Sequence, residues 1–139
     1  MGGADALHGE PVLVEDVRNA WVVDLAGDLP QAHREAAALW LPRVFADIEA
    51  EPANLARLRG LAGSVAGALA GGTTTEGWEH PSSPPERIYI LCTHGLNRSG
   101  LVTGLLLRAL GLSAEQAAAA IETRPGALNN RTYARLVAE

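Results

Sequence analysis

The sequence predicts an α/β domain with a central, mostly parallel sheet flanked by helices. Three observations carry that expectation. Strand-like and helix-like segments alternate along the chain, and Arg87-Ile88-Tyr89-Ile90-Leu91 is a near-continuous apolar run of the kind found in a central strand covered on both faces. Two helical patterns, residues 98–110 and 113–123, follow that run directly. A length of 139 residues suffices for one core and not for two, so a single domain over residues 1–139 is expected.

In chain order, residues 11–17 and 20–25 hold short β-branched clusters, and Trp21-Val22-Val23-Asp24-Leu25 reads as a buried strand ending at Ala26-Gly27-Asp28. Residues 31–39 have a helical pattern. Residues 41–48 are expected as a second short strand, with Pro42 at its start and Asp47 near its end, before Glu51-Pro52 breaks the pattern. Asn54 is an expected N-cap for a helix whose stripe is Leu55, Leu58, Leu61, Val65 and Leu69 and which Gly71-Gly72 stops. Residues 72–86, rich in Gly, Thr, Ser and Pro and without a period, read as an exposed loop able to act as a lid. Ser113, with Gln116 three residues on, forms a capping box for the helix that Arg124-Pro125-Gly126 ends. Asn130 begins a final short helix.

Composition narrows the function. Hydrophobic residues at 47% and charged residues at 19% exclude disorder as the main state. One cysteine, Cys92, excludes an intrachain disulfide and a multi-cysteine zinc site. His8, His33 and His80 lack a matching acidic or cysteine ligand pattern, so neither metal nor cofactor is expected. With 11 arginines, no lysine and 16 acids, the surface as a whole repels polyanions, which argues against broad nucleic-acid or anionic-membrane binding. Any anion site must therefore be local. The best apolar run, residues 101–107, is cut at Arg108, far short of the roughly 20 residues that span a bilayer, and a soluble cytoplasmic protein is expected.

The local site is Cys92-Thr93-His94-Gly95-Leu96-Asn97-Arg98-Ser99-Gly100, between the central strand and a helix, where α/β sheets present their strand ends to ligands. A short loop with Gly95 at the bend turns successive N–H groups inward as a nest for a tetrahedral oxyanion, and the following helix N-terminus adds partial positive charge. The same dipoles favour a nucleophilic thiolate at Cys92. Arg98 supplies a planar fork for two phosphate oxygens, a geometry Lys does not match.

These residues resemble the cysteine-dependent protein tyrosine phosphatases, whose signature is Cys-x5-Arg-Ser/Thr, and within them the small dual-specificity-like members. The loop is also similar to that of capping-enzyme RNA 5′-triphosphatases, Cys-Thr-His-Gly-x-Asn-Arg-Thr-Gly. Asn130, Tyr133 and Leu136 match the Asn-x-x-aromatic-x-x-Leu spacing of the last helix in dual-specificity phosphatases, where the Asn supports the phosphate loop. Trp21-Val22-Val23-Asp24-Leu25 resembles the family's early strand. The resemblance spans most of the chain and is diagnostic from Ile88 to Gly100. It implies a dual-specificity-phosphatase-like fold and a two-step reaction: Cys92 attacks phosphorus to give a phosphocysteine, which water hydrolyses. Arg98 and the amides of residues 93–98 hold the equatorial oxygens, and Ser99 hydrogen-bonds the departing thiolate.

The leaving oxygen needs a proton, and Asp47 fits best as its donor, after a short strand and before the helix that the family places between acid loop and nucleophile. Glu49 and Glu51 are substitutes, while Asp24 and Asp28 read as strand-end and turn residues. The family often has His just before the nucleophile; here Leu91 stands there and one contributor to thiolate stabilisation is absent. His94 is assigned a structural role. The expected substrates are phosphorylated proteins or small phosphomonoesters, phosphotyrosine first, with Arg124 and Arg131 as candidate contacts. The scarcity of cationic side chains around the loop counts against both phosphoinositides and RNA triphosphates, and an RNA 5′ end stays an alternative on the loop sequence alone. A phosphate-binding module without turnover is a second alternative. Arsenate reduction or sulfur transfer is disfavoured because the chain offers no second cysteine to resolve an oxidised Cys92.

Overall fold

Four consecutive residues of the early strand are all buried, so this segment cannot lie on an open sheet face and must sit between two layers. A computed structural model describes residues 2–3, 12–71, 78–81, 85–93 and 96–139 and shows this sandwich. The elements are β1 (Gly2–Gly3), α1 (Val14–Val17), β2 (Trp21–Asp24), α2 (Gln31–Ala36), β3 (Leu39–Pro42), α3 (Leu55–Leu69), β4 (Ile88–Cys92), α4 (Asn97–Ala109), α5 (Ala114–Glu122) and α6 (Arg131–Ala138). The strands form one sheet in the order β1-β4-β2-β3, and every pairing is parallel. Strand β4 is therefore central, as expected, and its alternation decides which side chain enters which layer. Ile90 and Cys92 join the larger core with Val23, Leu58, Leu61, Leu101, Tyr133 and Leu136. Leu91 points the other way, into a smaller cluster with Val12, Val17, Val22 and Leu29. Each fully buried side chain of this size contributes about 1.5–3 kcal/mol. None of the described helices is long and apolar enough to cross a membrane.

Several expected boundaries move, each for a tertiary reason. The helical pattern of residues 31–39 yields only Gln31–Ala36, because Leu39 is taken into β3 opposite Trp21. The strand expected over 41–48 is instead Leu39–Pro42, which ends where Pro42 pairs with Asp24, the last residue of β2. Beyond it the backbone stays tied to the end of β2 by Arg43 N–H to Asp24 O at 2.8 Å and Phe45 N–H to Leu25 O at 3.2 Å. The β-branched cluster near Val14 forms a helical turn rather than a strand, fixed by Leu13 N–H donating to Asp16 Oδ2 at 2.9 Å. Asn54 stands at the N-cap of α3, but its side chain does not cap; Nδ2 donates to Val44 O at 3.4 Å instead. By contrast, the Ser113–Gln116 capping box is fully formed.

The lid expected over residues 72–86 falls partly outside the described residues. Its described part packs at the other end of the sheet, with Trp78 and His80 edge-on to Trp21, the first residue of β2. Aromatic burial holds it there, away from Cys92 at the C-terminal end of β4.

Close helix packing positions the last helix. A Cβ on Gly104 of α4 would lie 2.5 Å from Val137 of α6, so only glycine permits that approach. The turn before α6 contains Leu128 at φ 59, a left-handed conformation costly for a branched side chain. Leu128 lies against Gly100, where an added Cβ would be 3.1 Å from its side chain. The turn thereby aims Asn130 at the first turn of α4.

Candidate active site

Cys92 ends β4 and is 3% exposed. Its Sγ accepts the Ser99 N–H at 3.4 Å and lies 3.4 Å from Ser99 Oγ. Ser99 is fully buried in the first turn of α4, so the sulfur faces a backbone donor, a hydroxyl and the positive end of that helix together. The family's His position, Leu91, offers no donor, since its side chain sits in the smaller apolar cluster.

Arg98 lies beside this pair. Nη1 donates to Phe45 O at 3.1 Å and Nη2 to Thr93 Oγ1 at 3.1 Å. Its Nε is buried and has no partner among the described residues. A buried donor without an acceptor costs about 1–3 kcal/mol, and Nε with Nη2 forms the side-on edge that grips an oxyanion through two parallel bonds. His94 and Gly95, expected to line the loop, lie outside the described residues; Leu96 is the N-cap of α4 and receives Gly100 N–H at 3.1 Å.

Asp47 is brought to the same place from 45 residues upstream. Asn97 Nδ2 donates to its Oδ2 at 3.1 Å and Asn130 Nδ2 to its Oδ1 at 3.2 Å. Each of these two bonds uses one lone pair of a carboxylate that is otherwise exposed. Around it the backbone is held by α6. Asn130 Nδ2 donates to Ile48 O at 2.7 Å, Tyr133 Oη donates to Ala46 O at 2.7 Å, and Ile48 N–H donates to Tyr133 Oη at 3.4 Å. Burial holds the Tyr133 phenol above its usual range. Asn130 also caps α6 by accepting Tyr133 N–H at 3.2 Å, and its own N–H donates to Asn97 Oδ1 at 3.0 Å. Asp47, Ile48, Glu49, Asn97, Asn129 and Asn130 line an open cavity of about 290 Å³ beside the loop.

Not every candidate gathers here. Glu51 pairs with Arg135 at 3.5 Å on the surface, whereas Glu49 lines the cavity beside Asp47 and accepts from Thr132 Oγ1 at 3.5 Å. No described contact ties Arg124 or Arg131 to the loop. His33 contacts Val12 O at 2.7 Å and His80 contacts Pro81 O at 2.9 Å, both away from the site. One residue at the site escapes sequence reasoning: Asp28, read as a turn residue, accepts the Thr93 hydroxyl at 2.9 Å. Its position just past the C-terminal end of a strand parallel to β4 was the available signal.

No protein-family profile and no curated protein matches this chain. Among solved structures, the crystal structure of Tk-PTP in the active form matches 89% of this chain and 80% of its own, with a TM-score of 0.63 at 22% sequence identity. The chain thus has the α/β fold of a protein tyrosine phosphatase.

Proposed function

We propose that this protein is a cysteine-dependent phosphatase that hydrolyses phosphomonoesters through a phosphocysteine. The observation that carries this reading is the pairing of Cys92 Sγ, held by the Ser99 N–H and hydroxyl, with an Arg98 whose buried Nε has no partner among the described residues. A group that fits both is a tetrahedral dianion, its phosphorus facing sulfur and two of its oxygens on the guanidinium edge.

In the first step Cys92 Sγ forms a bond to phosphorus as the P–O bond to the leaving group breaks, and Asp47 gives that oxygen its proton. In the second, Asp47 takes a proton from water, the water oxygen bonds to phosphorus and the S–P bond breaks. Ser99 then hydrogen-bonds the released thiolate, while Arg98 and the loop amides of residues 93–98 hold the equatorial oxygens in both steps. Asn130 supports the arrangement through Asn97 and Asp47.

The substrate is a monoester, phosphotyrosine or a phosphoprotein first, rather than a triphosphate. Carboxylates stand on both sides of the loop, Asp28 against Thr93 and Asp47 against Asn97, and they repel any further phosphate beyond the one on Arg98.

The test is hydrolysis of an aryl phosphate between pH 5 and 8, with vanadate as competitor and Cys92→Ser as control. Vanadate-sensitive turnover that disappears in Cys92→Ser is expected. A folded protein that binds vanadate yet turns over neither aryl phosphate, phosphopeptide nor RNA 5′-triphosphate would overturn the enzyme in favour of a binding module.

A further inference from the structure

Among the described residues, the Arg98 guanidinium is oriented by two acceptors, the Phe45 carbonyl and the Thr93 hydroxyl. A carbonyl has fixed lone pairs, but a hydroxyl rotates, and its acceptor direction is undefined until its proton is committed. Here the proton is committed: Thr93 Oγ1 donates to Asp28 Oδ2 at 2.9 Å while accepting Arg98 Nη2 at 3.1 Å. We propose that Asp28 is a positioning residue for oxyanion binding, acting on Arg98 through the Thr93 hydroxyl. The inference rests on the phosphate-binding role assigned to Arg98 above.

Asp28 is built to hold still although it is exposed. The residue before it, Gly27, has φ +77, and its N–H is tied to the buried Asp24 at 3.0 Å. The residue after it, Leu29, is buried in the smaller cluster. Between these two anchors the carboxylate reaches from the end of β2 to the end of β4, the neighbouring strand. With Asp28 in place, Thr93 turns its lone pairs to Nη2, the plane of the guanidinium is set from both sides, and the Nε edge stays free for the ligand. Without it, the hydroxyl proton competes for the same oxygen direction and Arg98 loses a defined rotamer. A chain of charge-assisted hydrogen bonds of this kind acts as one unit, so breaking either link has the consequence of breaking both.

The test compares wild type with Asp28→Ala, Asp28→Asn, Thr93→Val and the Asp28→Ala/Thr93→Val double variant. Calorimetric Kd values for vanadate and inorganic phosphate, kcat and KM on an aryl phosphate, and thermal melting are recorded for each. Asp28→Ala is expected to weaken oxyanion affinity and raise KM about 5- to 20-fold, with a smaller change in kcat. Asn keeps an acceptor for the hydroxyl, so Asp28→Asn should stay within about 3-fold of wild type. Thr93→Val should match Asp28→Ala, and the double variant should be no worse than either. A destabilised but otherwise unrelated Asp28 would lower the melting temperature and leave Kd unchanged, which overturns the proposal. Additive losses, or Asp28→Asn as impaired as Asp28→Ala, would also overturn it. Because Kd is read without turnover, a wild type that binds vanadate but does not hydrolyse refutes the enzyme and still decides the role of Asp28. A wild type that binds no oxyanion refutes both.

Discussion

The two sides of the site are built by opposite means. On the side of the proposed nucleophile, Cys92 ends β4, and Arg98 and Ser99 stand in the first turn of α4, six and seven residues on. On the side of the proposed acid, Asp47, the segment after Pro42 has no regular structure of its own. Side chains from elsewhere hold it: Arg98 on Phe45 O, Tyr133 on Ala46 and Ile48, and Asn97 and Asn130 on Asp47 and its neighbour. Backbone geometry protects the first side against substitution of its neighbours. The second is only as rigid as the helix ends that grip it, so changes in α6 should be felt in proton transfer rather than in oxyanion binding.

The largest break in that comparison lies at Cys92. Cys92→Ser is expected to lower kcat on an aryl phosphate on the order of 10⁴-fold or more, the scale of losing an activated nucleophile, with vanadate binding and melting temperature kept. Loss of folding along with activity would show that the nucleophile side is not self-supporting. Next comes Asp47→Asn, which keeps the acceptor oxygen but removes the transferable proton. A fall in kcat of about 10²-fold or more is expected for phosphotyrosine, whose leaving oxygen needs the proton. The fall should be much smaller for an aryl phosphate with an acidic phenol. An equal fall for both leaving groups would remove Asp47 from the acid role.

Asn130→Ala sharpens the comparison because it removes the Asn130 ties at the start of α6, leaves those of Tyr133, and leaves β4 and α4 in place. It removes a helix cap, a donor to Asp47 and a donor to Ile48 O. The expected loss is about 1–3 kcal/mol of stability, with a leaving-group-dependent loss of kcat of about 10-fold and an unchanged vanadate Kd. A weakened vanadate Kd would mean that the two sides are one unit after all.

How much of this was legible follows the same division. On the side of the proposed nucleophile, the strand and the helix could be read because their information is local, an apolar run and a helix start in order along the chain, while the bend expected at Gly95 lies outside the described residues. Ser113 and Asn130 cap their helices as their side-chain chemistry demands. The acid side was legible only as a residue type in a plausible place. Asp47 was named as a candidate, but the side chains that hold it lie 50 and 83 residues away, and no period or spacing encodes such pairings. Strand β3 was misplaced for a related reason, since pairing with β2, not its own composition, sets where it starts. Strand β1 is Gly2–Gly3, which carries no side chains to form a pattern. Asp28 looked like a turn residue because its partner Thr93 lies 65 residues on.

The smallest expected effect tests the grip of α6 by pH. Burial keeps the Tyr133 phenol protonated in the folded chain to a higher pH than in the unfolded chain, where it titrates near about 10. Between those two values the folded state holds more protons, so the stability this group contributes is complete below about pH 10 and is lost as pH rises above it. A phenolate also cannot donate to Ala46 O, which unties the acid segment while β4 and α4 keep their backbone bonds. Tyr133→Phe should cost about 1–3 kcal/mol at neutral pH by stranding the Ala46 carbonyl and the Ile48 N–H. In exchange, its melting temperature should fall less steeply than wild type between about pH 9 and 11. Some slope will remain, because Tyr89 is raised in the same direction, by burial and then by the charge of Asp16. Adding Tyr89→Phe should remove that remainder, whereas equal slopes in wild type and Tyr133→Phe would show that the phenol does not tie the acid segment to the rest of the fold.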